Sequence, residues 1–207
     1  MALVLYEYPV TRSVRDRWIL QELDVPFEAV VVDLHKGEHQ QPAFLKLNPA
    51  ARVPVLVDGD FVLAESAAIA VYLAEKFPDK GLVPADPRER ARMLQWLFFT
   101  ATELEQPLWR IAKHKGLYPR ALRLPAEVEL ARADFAPMVA VTEAHMQERA
   151  YVAGDSVTVA DFVLAYTLDW AKEAKMLEDC PALDAYIERM YSRPRAPLRI
   201  AAAKQAR

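Results

Sequence analysis

The chain has a single cysteine, Cys180. A lone thiol excludes an internal disulfide and a Cys-x-x-Cys redox pair, and it fits a reducing compartment. Cys180 precedes Pro181 in a loop-like stretch and reads as a packing cysteine rather than a nucleophile. No apolar run reaches the length of a membrane span. Met1-Ala2-Leu3-Val4-Leu5 is too short for a signal peptide and lacks its basic start. A cytoplasmic protein with no membrane partner is therefore expected. An excess of positive charge is missing as well. With a net charge of −3, no electrostatic claim on nucleic acid is expected. Internal repeats and low-complexity tails are absent.

What is present is an ordinary globular composition, 53% apolar and 27% charged over 207 residues. That length suits one large domain or two small ones. Leu3 to Tyr8 predicts a strand ended by Pro9, and Ser13 to Leu23 a helix with Trp18, Ile19 and Leu23 on its apolar side. Asp24-Val25-Pro26 breaks that helix, and Phe27 to Val32 is a β-branched second strand. Strand, helix, strand at this spacing implies a parallel pair with a right-handed crossover. Asp33 to Gln41 is a charged loop, Pro42 to Leu47 a short helix, and Asn48-Pro49 a stop. A strand opens near Val53-Pro54, Asp58-Gly59 turns it into Phe61-Val62-Leu63, and a helix follows from Ser66, its expected cap, to Phe77.

That order, βαβαββα over residues 1–78, predicts an α/β thioredoxin-like domain. Residues 79–87 read as a linker, and 88–207 as an all-α domain. Arg88 to Ile111 carries Leu94, Leu97, Phe98, Ala101, Leu104, Leu108 and Ile111 at helical steps, which predicts one long helix kinked at Pro107. Leu124 to Gln147 predicts a second, interrupted by Pro137. Thr158-Val159-Ala160-Asp161 is a capping box with Asp in the Glu place, and Val157 with Phe162 a hydrophobic staple. Pro181 to Arg189 and Pro197 to Ala203 close the chain as short helices.

The densest chemistry lies at Arg52-Val53-Pro54-Val55-Leu56 and Glu65-Ser66. With a cis Val53-Pro54 bond, Val53 offers its backbone N–H and C=O to an extended peptide. The helix start at Ser66 offers N–H groups to a carboxylate, and Glu65 holds an ammonium. A peptide with an α-amino-acid head satisfies all three groups, and glutathione is such a peptide.

The run from Lys36-Gly37-Glu38-His39-Gln40 to Asn48-Pro49, then Arg52-Val53-Pro54-Val55-Leu56 and Glu65-Ser66, resembles the cytosolic glutathione S-transferases over nearly the whole chain. The theta- and phi-like members, including bacterial ones, are nearest. The resemblance implies the fold of that family, glutathione as co-substrate with no metal, small hydrophobic electrophiles as second substrate, a homodimer, and a role in detoxification. It implies that His39 and Gln40 meet the glycyl carboxylate, with Arg52 supplying charge. Val53 and Pro54 would pair with the peptide backbone, while Glu65 and Ser66 hold the γ-glutamyl end. His114, His35 and His145 have no comparable context and read as surface residues.

Conjugation needs the thiolate. From a free pKa of about 8.5, a fall of ~2 units corresponds to about 2.7 kcal/mol. Nucleophilicity falls along with the pKa, so the net gain is only about threefold and positioning the electrophile matters more. The family's activating hydroxyl falls on Thr11 when counted forward from the first strand. Counted back from Leu23 and Pro26, it falls on Val10, which has none. Thr11 is therefore the first choice as catalytic residue and Ser13 the second, with Arg12 assisting by charge. Val10 and Trp109 are candidate walls of an electrophile pocket expected between the two domains. Glu105-Gln106 after Ala101-Thr102-Glu103-Leu104 departs from the His-Lys of beta-class members. Two other readings stay open on the same scaffold. One is an interaction protein similar to the stringent starvation proteins. The other is a glutathione-dependent isomerase similar to maleylacetoacetate isomerase.

Overall fold

Alternating burial along Leu3–Glu7 (β1) seats Leu3 and Leu5 in a core and makes this strand the centre of a four-stranded sheet. The structure is a computed structural model describing Leu3–Gln205, so Met1 and Ala2 of the amino-terminal segment lie outside the described residues. β1 pairs in parallel with Phe27–Val31 (β2) and antiparallel with Val55–Asp58 (β3). Phe61–Ala64 (β4) completes the order β2-β1-β3-β4. The β3–β4 hairpin turns through Gly59, whose φ of 66° suits a residue without a Cβ. Ser13–Leu23 (α1) makes the crossover between β1 and β2, and Pro42–Leu45 (α2) lies between β2 and β3. Ser66–Lys76 (α3) follows β4. This is the expected βαβαββα order. Trp18, Ile19, Ile69, Ala70 and Leu73 are fully buried between these elements.

The chain divides into two units, Met1–Val83 with Arg193–Arg207, and Pro84–Ser192. The tail thus falls with the first unit, where the sequence reading grouped it with the helices. Two ion pairs hold it there, Arg193 with Glu22 and Arg195 with Asp24. Its helix is Ile200–Gln205 (α9), three residues later than expected.

The second unit is all-helical: Pro87–Phe99 (α4), Glu105–Ala112 (α5), Pro125–Met146 (α6), Val159–Glu173 (α7) and Pro181–Tyr191 (α8). Between Val159 and Ala171 nearly every side chain of α7 is buried, as an apolar central helix requires. The expected capping box is present, with both partners bonded. Asp161 also accepts from Val152 N and from the Tyr186 hydroxyl, at 2.8 and 2.9 Å.

The two internal prolines behave differently. Pro107 is buried and leaves the Glu103 carbonyl without its helical donor, and the chain answers with a π turn over Thr100–Leu104 instead of a simple kink. Pro137 is exposed, Ala133 before it is exposed too, and α6 runs through without the expected interruption, since the carbonyl that Pro137 cannot serve lies on the solvent side. The buried stripe keeps Leu97, Leu104, Leu108 and Ile111, but Phe98 is 61% exposed and Met93 takes its place.

Candidate functional site

Parallel pairing of β1 with β2 and antiparallel pairing with β3 bring several segments to one end of the sheet. Carried two residues further, the Tyr6–Val55 register sets Tyr8 level with Val53. The Val55–Ala64 pair ends the β3–β4 ladder at this same end, and helix Ser66–Lys76 starts two residues beyond it. The Val53–Pro54 bond is cis. Neither the N–H nor the C=O of Val53 has a hydrogen-bond partner among the described residues. Its side chain packs on Val32, Phe44 and Val55. Asn48 donates to the Arg52 carbonyl at 2.9 Å, which steadies the approach, while the Arg52 side chain is exposed. A firmly seated residue with both backbone groups unpaired is a place for one more short strand.

At α3 the cap residue is Glu65, with φ 72° and ψ 110°, and no side chain caps the helix. Ser66 is the first helical residue, which corrects its expected place as the cap. A non-glycine residue held at such a φ stores about 1–3 kcal/mol of strain, and such positions gather at functional sites. The N–H groups of Ser66, Ala67 and Ala68 have no acceptor among the described residues, so the first turn suits an anion. Glu65 is exposed beside it. Ser66 is buried, and its Oγ accepts from Arg15 Nη1 at 3.2 Å.

The β1–α1 turn holds both candidate hydroxyls in a closed arrangement. Thr11 Oγ1 donates to the Tyr8 carbonyl at 2.6 Å and lies 2.9 Å from Ser13 Oγ. Ser13 N donates to Thr11 Oγ1 and Tyr8 N to Ser13 Oγ, both at 3.3 Å. With the Thr11 proton on Tyr8, the Ser13 proton points to Thr11. Ser13 is 1% exposed and does not face solvent, whereas Thr11 is half-buried. The Thr11 backbone N–H has no acceptor among the described residues. Val10 precedes it at φ 62°, rare for a β-branched residue. Arg12, half-buried, occupies the cap position of α1.

His39 and Gln40 sit on a 3-10 turn over Glu38–Gln40, entered through Gly37 at φ 73°. The His39 Nε2 and Gln40 Nε2 atoms are 3.4 Å apart, and the buried His39 Nδ1 has no hydrogen-bond partner among the described residues. His35 is exposed, as expected, and its ring meets that of Tyr8 edge-on at 5.9 Å. His114 and His145 are half-buried instead: His114 Nδ1 accepts from Leu124 N, and the His145 ring lies 4.2 Å from that of Trp96 at a tilt of 34°.

A cavity of about 570 Å³ opens beside this turn, within the first unit. Val10, Val14, Arg17 and Gln21 form one wall, and Pro197 and Leu198 of the tail form another. That volume is in the range of small-molecule sites. Trp109, the other expected wall, instead lies in the second unit, edge-on to Trp170 at 6.2 Å, and does not line this cavity.

Two contributors escaped the sequence reading. The tail is one, and its prolines at 194 and 197 were the available signal for a non-helical strap. Arg15 is the other. It stands three and four residues before Trp18 and Ile19, on their buried face, and it is 2% exposed. Asp16 beside it is fully buried, and desolvation raises its carboxyl pKa well above the usual value, against the lowering effect of Arg15. Among the described residues no three His, Cys, Asp or Glu side chains gather as a metal site. No helix there is long and apolar enough to cross a membrane.

The chain is similar to known proteins across both of its units. The family model "Glutathione S-transferase, N-terminal domain" matches residues 1–75, and "Glutathione S-transferase, C-terminal domain" matches 112–194. Glutathione S-transferase F9 of Arabidopsis thaliana is 35% identical over 184 residues, covering 84% of this chain and 85% of its own. Glutathione S-transferase GST-4.5 of Xanthomonas campestris pv. campestris is 34% identical, with 90% of this chain and 91% of its own covered. Among solved structures, glutathione transferase URE2P6 from Phanerochaete chrysosporium, in complex with oxidized glutathione, superposes with a TM-score of 0.82 at 27% identity. That match covers 99% of this chain and 95% of the other.

Proposed function

The chain belongs to the glutathione S-transferase family, and from that premise we propose that it joins the thiolate of glutathione to small hydrophobic electrophiles by direct attack of sulfur. The observation that carries this reading is Val53, with both backbone groups unpaired among the described residues, just ahead of the β3 strand whose partner β4 leads into α3. Glutathione lies antiparallel to Val53 and Pro54. Its γ-glutamyl carboxylate meets the first turn of α3 and Ser66, and its ammonium meets Glu65. Its glycyl carboxylate points toward His39, Gln40 and Arg52.

The sulfur then falls at the β1–α1 turn. There Thr11 is the activating residue, and two donors serve the thiolate. One is the Thr11 N–H; the other is its hydroxyl, turned away from the Tyr8 carbonyl. Arg12 adds positive charge, and Ser13 keeps the turn closed. Trading a neutral acceptor for a thiolate favours that rotation, because hydrogen bonds to charged groups are worth about 1.5–3 kcal/mol against 0.5–1.5 for neutral ones. The cavity lined by Val10, Val14 and Leu198 takes the electrophile. This reading carries with it the family's homodimer, a cytoplasmic location and a part in detoxification.

Calorimetric titration with millimolar glutathione tests the binding half, and a conjugation assay over a panel of aryl and alkyl electrophiles tests the chemistry. Binding and turnover are expected. Absence of both binding heat and thermal stabilisation would remove this function altogether.

A further inference from the structure

Ser66 is the one hydroxyl in the first turn of α3, which carries no charged side chain of its own. A serine hydroxyl has a single proton and two acceptor positions. Arg15 Nη1 donates to Ser66 Oγ from inside the seam between α1 and α3, at 3.2 Å and with both residues buried. That contact occupies an acceptor position and repels the Ser66 proton from the guanidinium side. The proton has no acceptor among the described residues. It is therefore presented as a donor at the turn where three backbone N–H groups also lack acceptors.

We infer that Arg15 is a positioning residue for the ligand's amino-acid head: through Ser66 it turns a neutral hydroxyl into a committed donor to the carboxylate bound there. This rests on the glutathione reading given above. Arg15 does not touch the ligand. Its effect passes through Ser66 Oγ, in a seam that solvent does not reach. Burying a guanidinium is unfavourable in itself, and methionine fills such a seam without that penalty.

The test separates ligand positioning from simple support of the α1–α3 seam. Arg15→Met is expected to raise KM for glutathione about tenfold, with the loss falling on KM rather than kcat, and Arg15→Lys to recover part of it. Ser66→Ala should cost about as much. The pair Arg15→Met with Ser66→Ala should be no worse than Ser66→Ala alone, since both remove one path. Cysteinylglycine, which lacks the γ-glutamyl head, should bind wild type and variants alike. Additive losses, or equal weakening toward cysteinylglycine and glutathione, would overturn the assignment. If Arg15→Met does not fold, Arg15→Lys in the wild-type and Ser66→Ala backgrounds gives the same decision. A wild-type protein that ignores glutathione refutes the function proposed above along with this inference. One that binds it without Arg15–Ser66 coupling refutes this inference alone.

Discussion

Thr11 and Ser13 stand 2.9 Å apart through their side-chain oxygens, and both hydroxyls are turned into the backbone of their own turn. The two candidates are therefore one unit with a division of labour. Ser13 closes the turn from a buried position, and Thr11 alone has access to the outside.

Thr11→Val removes the accessible hydroxyl while keeping the β-branched shape. A fall in kcat/KM of about 10- to 100-fold is expected, with the pKa of bound glutathione rising, because one donor to the thiolate is lost and the backbone N–H remains. Thr11→Ser should stay near wild type. Thiolate absorbance of the binary complex against pH is the direct measurement. Full activity in Thr11→Val would remove the hydroxyl from the mechanism.

Glu65 is exposed at φ 72°, so Glu65→Ala keeps the backbone strain and alters little of the packing. What disappears is the carboxylate beside the α3 start. Retention on immobilised glutathione should be lost, and affinity in solution should fall about tenfold or more. Thermal unfolding of the free protein should stay within a degree or two. Undiminished retention would mean that the ammonium is held elsewhere.

Much of this layout is legible from punctuation. Pro9, Pro26 and Asp58-Gly59 bound the strands, and Glu65-Ser66 marks a helix start, because each residue acts on its own backbone. What escaped is non-local. Phe98 repeats at the same helical steps as Leu97, and only its 61% exposure separates the two. Pro107 and Pro137 look alike in sequence, yet the buried one goes with a π turn and the exposed one leaves its helix uninterrupted. The tail's return to the first unit depends on Glu22 and Asp24, some 170 residues earlier in the chain. Arg15 looks like a surface charge until Ser66 is placed against it.

Glu143 of α6 does the work of a cap for α8. Its two carboxylate oxygens accept from Ala182 N and Leu183 N, both at 2.9 Å, while Cys180 at the cap position turns its thiol back to the Glu178 carbonyl and does not cap the helix. An anion at a helix start also meets the favourable end of the dipole. Glu143→Ala should lower stability by about 1–2 kcal/mol in urea, and Glu143→Gln by less. Equal stability of all three proteins would show that water replaces the carboxylate without loss.

Asp16 sets a pH dependence whose sign is fixed by burial. Its folded pKa is raised, mainly by desolvation, so the folded state holds this proton more tightly than the unfolded chain. The associated stability is complete below the unfolded value near 3.8 and is lost as pH climbs toward the folded pKa. Asp16→Asn imitates the protonated form. Its unfolding free energy should fall less than that of wild type between acid and neutral pH. Parallel profiles would mean that Asp16 ionises equally in both states.

Val10 combines two properties that point in opposite directions, and substitution can pull them apart. At φ 62° a β-branched side chain is strained, and the same side chain lines the 570 Å³ cavity. Val10→Gly relieves the strain, worth about 1–3 kcal/mol, against roughly 0.4–1 kcal/mol of added freedom in the unfolded chain. The variant should therefore be more stable by about 1 kcal/mol. It also loses a wall, so KM for a hydrophobic electrophile should rise severalfold while KM for glutathione holds. Val10→Ala loses the same wall but keeps a Cβ in the left-handed region, so it should share the kinetic defect with much less of the stability gain. If both variants keep wild-type KM for every electrophile tried, the second substrate does not rest on Val10, and the cavity beside the turn is not where the acceptor binds.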